Sequence, residues 1–297
     1  MKLLSHYTEQ QRKRYPEIIN WENHIILDKL SYSYRDTVYD KSTYPSNLHY
    51  HDYYELVIPE EGNIRYICEE CVYYPRHGDI ILIPPRKFHM SAIDCESTRY
   101  KRHVFYLYPS AFDSIGHSAL TSFLKEKTKA PLFTLHSGKA QKELHNQLQL
   151  LRCVSDTPAS PLKDALMLSY VIHIFCLLNK RKSQFETELV SLPESILMIQ
   201  RYIDRNFSQI SSVTDVAKHF FYSREYVSRS FAKHFNTTIS SYITKRKVAK
   251  SQELILKALP IIEVSYQVGF GSVSTFIRAF KSVTGMTPGE YRSYHIK

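Results

Sequence analysis

The segment GFGSVSTFIRAFKSVTGMTPGEYR, residues 269–292, decides the fold class predicted for the C-terminal third of the chain. Gly269 opens a tight turn, because glycine adopts backbone angles that other residues resist. Phe276 and Phe280 then recur at helical spacing and predict the buried face of a helix. Before the turn, Ile261 to Val268 predicts a shorter helix, so the segment is typical of a helix-turn-helix. The outward positions of the second helix are Val273, Ser274, Ile277, Arg278 and Lys281.

The same pattern occurs once more upstream. Four residues of similar type recur at a spacing of 49: Arg229, Phe231, Asn236 and Tyr242 precede Arg278, Phe280, Gly285 and Tyr291. The short helix before them recurs at a spacing of 48, since Val213, Val216 and Ala217 precede Ile261, Val264 and Ser265. One residue is therefore added in the second turn, and one supersecondary unit is used twice.

In the first unit we predict helices at Val213–Phe220 and Arg224–Phe235, with Ser223 as N-cap. Val227 and Phe231 form its buried face. Its outward residues are Arg224, Glu225, Ser228, Arg229 and Lys233. Short polar side chains with an arginine favour entry into the major groove of DNA, where arginine bonds guanine through two hydrogen bonds.

The segment between the two units, residues 240–259, predicts one long helix with a basic start at Lys245, Arg246, Lys247 and Lys250. A stiff helix fixes the separation of two recognition helices. It can place them in successive major-groove segments, about 34 Å apart on one face of the duplex.

The charge distribution agrees with an acidic partner. The 297-residue chain has a formal net charge of +10, and residues 191–297 contribute +8 of it, with 15 Lys and Arg against 7 Asp and Glu. Such a balance favours nucleic acid. The alternative is a helical domain whose charged face is only solvated.

The preceding residues have a different pattern. Residues 24–108 alternate in the manner of strands, with turn residues at the spacing of an antiparallel barrel or sandwich. Helical spacing follows from Ala140, and Pro161–Asn179 is apolar on nearly every side. We predict an α+β chain of two domains: residues 1–182 with the β-barrel and its helices, a polar linker at 183–192, and an all-α domain at 193–297.

The stretch HYHDYYE, residues 49–55, together with His89 offers three imidazoles and a carboxylate at His49, His51, Glu55 and His89. Such a set suits iron, manganese, nickel or zinc. Cys68 and Cys71 form an isolated CxxC without a second pair, and five cysteines favour reduced thiols. No apolar run approaches the roughly 18–20 residues of a membrane span, and the N-terminus lacks the apolar core of a signal peptide, so a cytoplasmic location without a membrane partner is expected.

The C-terminal motif resembles the AraC/XylS family of transcriptional regulators over residues 212–292. The chain departs from the family pattern at Asn236, Ser265, Lys247 and Ser251. The resemblance implies base contacts by Glu225, Ser228, Arg229, Val273, Ser274, Ile277 and Arg278. Contacts with the DNA backbone are expected from Ser223, Arg224, Lys233, Lys245, Arg246 and Lys281. Glu225 either accepts from a cytosine or has a surface role, for example in a pair with Arg229.

In many such regulators the N-terminal domain is a cupin-like barrel that binds a small effector. His49, His51, Glu55 and Gly62 agree with the first cupin motif, and Gly78, Pro84 and His89 agree with the second. Arg86 and Ile93 replace a glycine and an asparagine of the second motif, and a cation beside the ligands disfavours a divalent ion. A metal-free pocket is therefore favoured over a metal site and no cofactor is predicted. The predicted effector-binding residues are His49, His51, Glu55, Arg65, Arg86 and His89.

The sequence thus predicts a sequence-specific regulator of transcription, not an enzyme, that binds double-stranded DNA and a small effector such as a sugar. A homodimer is expected, and activation, with RNA polymerase as partner, follows the habit of the family. One alternative is a cupin metalloenzyme with a helical appendage. Another is a ligand-free regulator controlled by protein contact.

Overall fold

A computed structural model describes residues 24–27, 29–41, 48–126, 132–135, 138–181, 185–186 and 190–295. The described residues form two compact units. The first ends at Val190, and the second begins at Ser191 and includes Leu48 and His49. The predicted linker at 183–192 falls at this division, and 182–184 and 187–189 lie outside the described residues. The N-terminal residues 1–23, including the predicted absence of a signal peptide there, also lie outside them.

The first unit contains two antiparallel sheets. Its strands are β1 His24–Leu27, β2 Leu30–Asp40, β3 Tyr54–Glu61, β4 Ile64–Cys68, β5 Cys71–Tyr73, β6 Asp79–Ile83, β7 His89–Ile93, β8 Ser97–Leu107, β9 Leu132–Leu135, β10 Phe185–Glu186 and β11 Val190–Ser191. The order is β1-β2-β8-β3-β6-β9-β10 in one sheet and β11-β5-β4-β7 in the other. The predicted antiparallel fold is confirmed. Among the described strands, however, hydrogen bonds form two open sheets and not one closed barrel.

One core lies between the two sheets. Val57 of β3 and Ile81 of β6 come from the larger sheet, and Tyr66 of β4 and Ile93 of β7 come from the smaller one. Because successive strand residues point to opposite faces, every second residue of these strands enters this core.

The opposite face of the larger sheet is covered by helices α1 Phe123–Glu126, α2 Gly138–Ser155 and α3 Pro161–Arg181. Leu144 and Leu148 of α2 and Phe175 of α3 pack with Leu56 and Phe105 of the sheet. The helix predicted to start at Pro161 is therefore confirmed and extends two residues beyond its predicted end.

Helix α3 is long and apolar enough, over Pro161–Lys180, to pass as a membrane span by length and composition. The expectation that no apolar run approaches that length is therefore wrong. Polar contacts tie this helix to its neighbours inside the unit. The Lys163 ammonium is buried and donates to the carbonyls of Ser155 and Thr157 at 2.7 and 2.6 Å, and Asn179 donates to the Leu120 carbonyl.

The second unit consists of helices α4 Glu194–Asn206, α5 Val213–His219, α6 Arg224–Phe235, α7 Ile239–Leu256, α8 Ile261–Gln267, α9 Val273–Thr284 and α10 Pro288–His295. Helices α5 and α8 have the same length and begin 48 residues apart, whereas α6 and α9 begin and end 49 residues apart. The predicted tandem repeat, with one residue added in the second turn, is confirmed.

Candidate DNA-binding surface and ligand site

The two recognition helices, α6 and α9, have equivalent caps at both ends. Ser223 and Ser272 are the N-caps, and their side chains accept from the backbone N–H three residues on, at 3.1 and 3.3 Å. Asn236 and Gly285 are the C-caps, both with left-handed backbone, at φ 44° and 79°. Asparagine tolerates this conformation better than most residues, so Asn236 replaces the glycine of the repeat without changing the fold.

The buried faces of these helices are the predicted ones. Val227 and Phe231 in α6, and Phe276 and Phe280 in α9, are fully buried. The opposite faces carry the predicted base-contacting residues, of which Glu225, Arg229, Ser274 and Arg278 are exposed and Ser228, Val273 and Ile277 are partly exposed. Two equivalent outward faces therefore present an arginine at the same position, while the other side of each helix is fixed in the core.

Glu225 and Arg229 are both exposed on α6 and lie four residues apart. Both roles considered for Glu225 therefore stay predictions, and its side chain lies on the exposed face of α6, one turn from that of Arg229.

The turns of the two units differ at equivalent positions. Phe221 and Gly269 both have positive φ, at 57° and 83°. A Cβ placed on Gly269 would lie 1.9 Å from the carbonyl oxygen of Ser208, so this turn closes against backbone. The turn at Phe221 is open by contrast, since 96% of the surface of Phe221 is exposed.

Two basic residues of α7 bind inside the second unit. Arg246 pairs with Asp204 of α4, with Nε 2.6 Å from Oδ1. Lys247 is buried, and its Nζ donates to the Gly269 carbonyl at 2.7 Å. These contacts were not evident from the sequence, because their partners lie 42 and 22 residues away along the chain.

Of the residues predicted to contact the DNA backbone, Ser223, Arg224, Lys233 and Lys281 are exposed at the recognition helices, and Lys245 and Arg246 are partly buried in α7. The Arg246 pair with Asp204 gives that residue a structural role. A contact of any of the six with phosphate stays a prediction.

In the first unit, three of the residues predicted to bind an effector meet at the end of the core between the sheets. Glu55 lies on β3, His89 begins β7, and His51 precedes β3. His51 Nε2 is 3.1 Å and His89 Nε2 is 3.3 Å from Glu55 Oε2. We call these three residues the His-Glu cluster. All three ligand atoms lie within 4.8 Å of one another.

Each imidazole of the cluster is oriented by its other nitrogen. His51 Nδ1 is 2.8 Å from the carbonyl oxygen of Tyr53, and His89 Nδ1 is 2.8 Å from that of Lys87. The His51 ring also stacks on the Tyr53 ring, with centroids 4.1 Å apart. Both Nε2 atoms are thereby directed at the carboxylate.

The charge state of the cluster follows from burial and contact. Burial lowers the pKa of His51, which favours the neutral ring. Burial alone would raise the pKa of Glu55, but its contacts with His51 and His89 outweigh this and hold the pKa well below its usual range. The site therefore holds a buried carboxylate, with its side chain only 13% exposed.

The remaining predicted effector residues lie differently. Arg86 is close by: its backbone N–H donates to the His51 carbonyl at 2.7 Å, and its Nε donates to Asp52 at 2.8 Å. Arg65 alternates with Tyr66 on β4, so it points away from the core between the sheets, and it pairs with Asp94. His49 is exposed and groups with the second unit. The structure thus brings together His51, Glu55 and His89, with Arg86 beside them, and leaves Arg65 apart.

A second histidine–glutamate pair was missed by sequence reasoning. His103 of β8 is fully buried, its Nε2 is 2.9 Å from Glu60 Oε1, and its Nδ1 is 2.9 Å from the Tyr32 hydroxyl. Tyr34 donates to the other Glu60 oxygen at 3.0 Å, and Gln149 of α2 also donates to Glu60. These residues are far apart in the sequence and come together only through the pairing of β2, β8 and β3, so no local signal could have found them.

Comparisons with known proteins match both units. The model of the AraC-like ligand binding domain matches residues 37–171, and that of a helix-turn-helix domain matches 216–294. The chain is similar to the uncharacterized HTH-type transcriptional regulator YfiF of Bacillus subtilis (strain 168), with 28% identity over 85% of this chain and 80% of that protein. It is also similar to the melibiose operon regulatory protein of Escherichia coli (strain K12), with 24% identity over 82% of each.

Among solved structures, the C-terminal domain of AraT, a response regulator from Geobacillus stearothermophilus, matches with 30% identity and a TM-score of 0.34 over 35% of this chain and 88% of that one. With a sensing-type unit followed by two helix-turn-helix motifs, the chain belongs to the AraC family of DNA-binding transcriptional regulators.

Proposed function

We propose that this regulator is an effector-responsive activator that works in the cytoplasm as a homodimer. Its second unit reads an operator through α6 and α9, and its first unit binds a small molecule at the His-Glu cluster. Binding of the effector changes which half-sites the protein occupies and so its contact with RNA polymerase.

The pair of equivalent recognition faces carries the DNA-binding part of the proposal. Arg229 and Arg278 lie at the same position of α6 and α9, are exposed, and stand on helices whose other faces are buried. An exposed guanidinium on such a helix matches the two acceptors of guanine in the major groove. Ser228, Ser274 and the half-exposed Val273 and Ile277 are placed to contact neighbouring base edges and thymine methyl groups.

The polar residues at the end of an otherwise apolar core support the effector part. Small-molecule sites are mostly apolar, with a few polar groups that fix the ligand. The His-Glu cluster supplies acceptors, and Tyr53 and Tyr106 lie beside it with ring centroids 5.1 Å apart. Aromatic rings with hydrogen-bonding groups suit a sugar, and one relative regulates a melibiose operon.

The DNA-binding part is tested by selecting bound sequences from random duplexes and then measuring the affinity of variants for the selected operator. Arg229→Ala and Arg278→Ala should each cost about 1–3 kcal/mol on the operator and relax the base preference at one position in their own half-site. Arg205→Ala is the matched control, because Arg205 is an exposed arginine of α4 and not of a recognition helix.

Equal losses on operator and random DNA for both arginine variants would contradict base reading. The effector part is tested separately by thermal stabilisation of the full chain with a panel of sugars and organic acids, and no stabilisation by any of them would favour a regulator without an effector.

A further inference from the structure

We infer that Cys68 and Cys71 form a reversible disulfide when the chain meets a peroxide, and that this bond changes the effector site through His89. The two cysteines are the isolated CxxC of the sequence, which the proposed function does not use. Formation of the bond is argued from the geometry of the hairpin alone. Only its consequence for effector binding rests on the proposed function.

The two cysteines lie opposite each other across a tight hairpin. Cys68 ends β4 and Cys71 begins β5, Glu69 and Glu70 form the turn, and the two cysteines are direct partners in the antiparallel register. Opposite residues of such a pair have Cα atoms about 4.5–5.5 Å apart, and disulfides join Cα atoms about 4.4–6.8 Å apart. The backbone therefore holds the two residues at a separation that suits a disulfide.

Both side chains lie on the same face of the smaller sheet. Cys68 belongs to the core between the sheets, and Cys71 packs against that core. Both are thiols in the structure. Cys68 is 5% exposed, whereas Cys71 is partly exposed. A small oxidant dissolved in water therefore reaches Cys71 first, and Cys68 is the second thiol beside it.

The reaction with hydrogen peroxide takes two steps. The Cys71 thiolate attacks one oxygen of the peroxide, the O–O bond breaks, and a sulfenic acid and hydroxide form. The Cys68 thiol then attacks the sulfur of the sulfenic acid, the S–S bond forms, and water leaves. In total the two sulfur atoms give two electrons to the peroxide, and two thiols and one peroxide become one disulfide and two water molecules.

The bond is expected to be easily reduced. Opposite residues of a sheet have Cβ atoms about 4.5–5.5 Å apart, and a disulfide needs about 3.5–4.5 Å, so β4 and β5 have to approach by on the order of 1 Å. A strained disulfide has a higher reduction potential and is of the labile, regulatory kind. The reduced thiols predicted from the sequence are then the resting state, and the disulfide is the state under oxidation.

The turn between the cysteines is bonded to the residue that precedes His89. The Glu69 N–H donates to the Phe88 carbonyl at 2.8 Å, and the Phe88 N–H donates to the Glu69 carboxylate at 2.9 Å. Cys68 is also the register partner of His89 itself, in the pairing of β4 with β7. Movement of Cys68 and its turn on oxidation therefore displaces the start of β7, where His89 joins the His-Glu cluster.

The test treats the reduced full chain with hydrogen peroxide, blocks the remaining thiols by alkylation, and digests the unfolded product with trypsin. Cleavage after Arg65 and Arg76 yields the peptide 66–76, whose cysteines are Cys68 and Cys71. We expect this peptide to have lost two hydrogens and to carry no alkyl group. Dithiothreitol should return it to the dithiol form.

Three variants of the full chain assign the two steps. Cys68→Ser should leave a sulfenic acid at Cys71 that dimedone traps, whereas Cys71→Ser should leave the buried Cys68 unmodified. Cys153→Ser removes an exposed cysteine of α2 and is the control, which should form the same disulfide as the wild type. Two alkyl groups on peptide 66–76, at a dose of peroxide that oxidises Cys153, would overturn the disulfide.

The effect on the effector site is measured by nuclear magnetic resonance of the full chain with carbon-13 in its histidine rings. His89→Gln and His117→Gln assign the two signals. We expect oxidation to shift the His89 signal and to leave that of the exposed His117 in place. An unchanged His89 signal in the oxidised chain would overturn the link between the disulfide and the effector site.

Neither measurement uses an effector. If the disulfide forms and the His89 signal shifts, but none of the sugars and organic acids stabilises the chain, the proposed effector-responsive function fails and the inference stands. If an effector stabilises the chain and peptide 66–76 resists the peroxide, the function stands and the inference fails.

Discussion

Glu60 shows how much one buried carboxylate can contribute at a single position. Burial would raise its pKa, but hydrogen bonding and proximity to His103, together with the Tyr34 hydroxyl, lower the pKa from 4.5 to about 2. Because the folded-state pKa is the lower one, the stabilisation is complete above the unfolded value of 4.5 and is lost as the pH falls through 2.

We therefore expect Glu60→Gln to reduce the free energy of unfolding of the first unit by about 3 kcal/mol at pH 7 and to have little effect near pH 2. Urea unfolding at a series of pH values measures the difference. Glu96→Gln is the control, since the Glu96 side chain is 95% exposed. A loss for Glu60→Gln that does not change with pH would show that packing, not charge, causes it.

The same scale shows the limit of sequence reasoning. Arg229 and Arg278 could be placed on the outer faces because helical period alone decides which side of a helix is buried. The internal roles of Arg246 and Lys247 could not, because each depends on a partner brought close by the fold. The orientation of the His51 and His89 rings depends on contacts with two backbone carbonyls, which no pattern of residue types reveals.

At the scale of elements, the two turns make a natural comparison. Phe221 adopts a left-handed conformation that costs a non-glycine residue on the order of 1 kcal/mol, and it is almost wholly exposed. Gly269 has the same sign of φ and is closed in by the Ser208 backbone.

We expect Phe221→Gly to be neutral or to stabilise the second unit by up to about 1 kcal/mol. Gly269→Ala should destabilise it by more than about 2 kcal/mol, because both the backbone angle and the Ser208 carbonyl oppose a Cβ. Thermal unfolding of the two variants of the full chain compares them. Equal effects would show that the turns are equivalent in packing as well as in φ.

The helices were predicted better than the sheets. The bounds of α6 agree with the predicted ones, and those of α5 and α8 differ by one residue at the C-terminus, because their signals are local caps and a local period. Strand pairing is not local. The longest pair, β2 with β8, joins Leu30 to Leu107 and Asp40 to Ser97. The sequence of neither strand identifies its partner or shows whether the sheets close into a barrel.

At the scale of the whole molecule, we expect helix α3 to contribute to the interface of the proposed homodimer. Leu162 and Leu166, one helical turn apart, are 70% and 39% exposed. Burial of these two leucines against a second copy of the chain would remove apolar surface from water.

We expect the double variant Leu162→Glu, Leu166→Glu to convert a dimer to a monomer in sedimentation equilibrium at micromolar concentration. Val38→Glu, which places a charge at an apolar residue 69% exposed on β2, is the control and should remain dimeric. A wild-type monomer, or a double variant that stays dimeric, would contradict the assignment of this face.

The buried ammonium of Lys247, bound to the carbonyl of the Gly269 turn, has a consequence for the genes under control. This bond joins α7 to the turn before the second recognition helix, α9. Movement of α7 against this turn would leave the charge of Lys247 buried without a partner. The protein then fixes the distance between the two recognition helices. An operator that gains or loses a base pair between its two halves binds only if the DNA bends or twists, which costs deformation energy. Promoters under this regulator should therefore tolerate a base substitution within a half-site more readily than a change in the spacing between the half-sites.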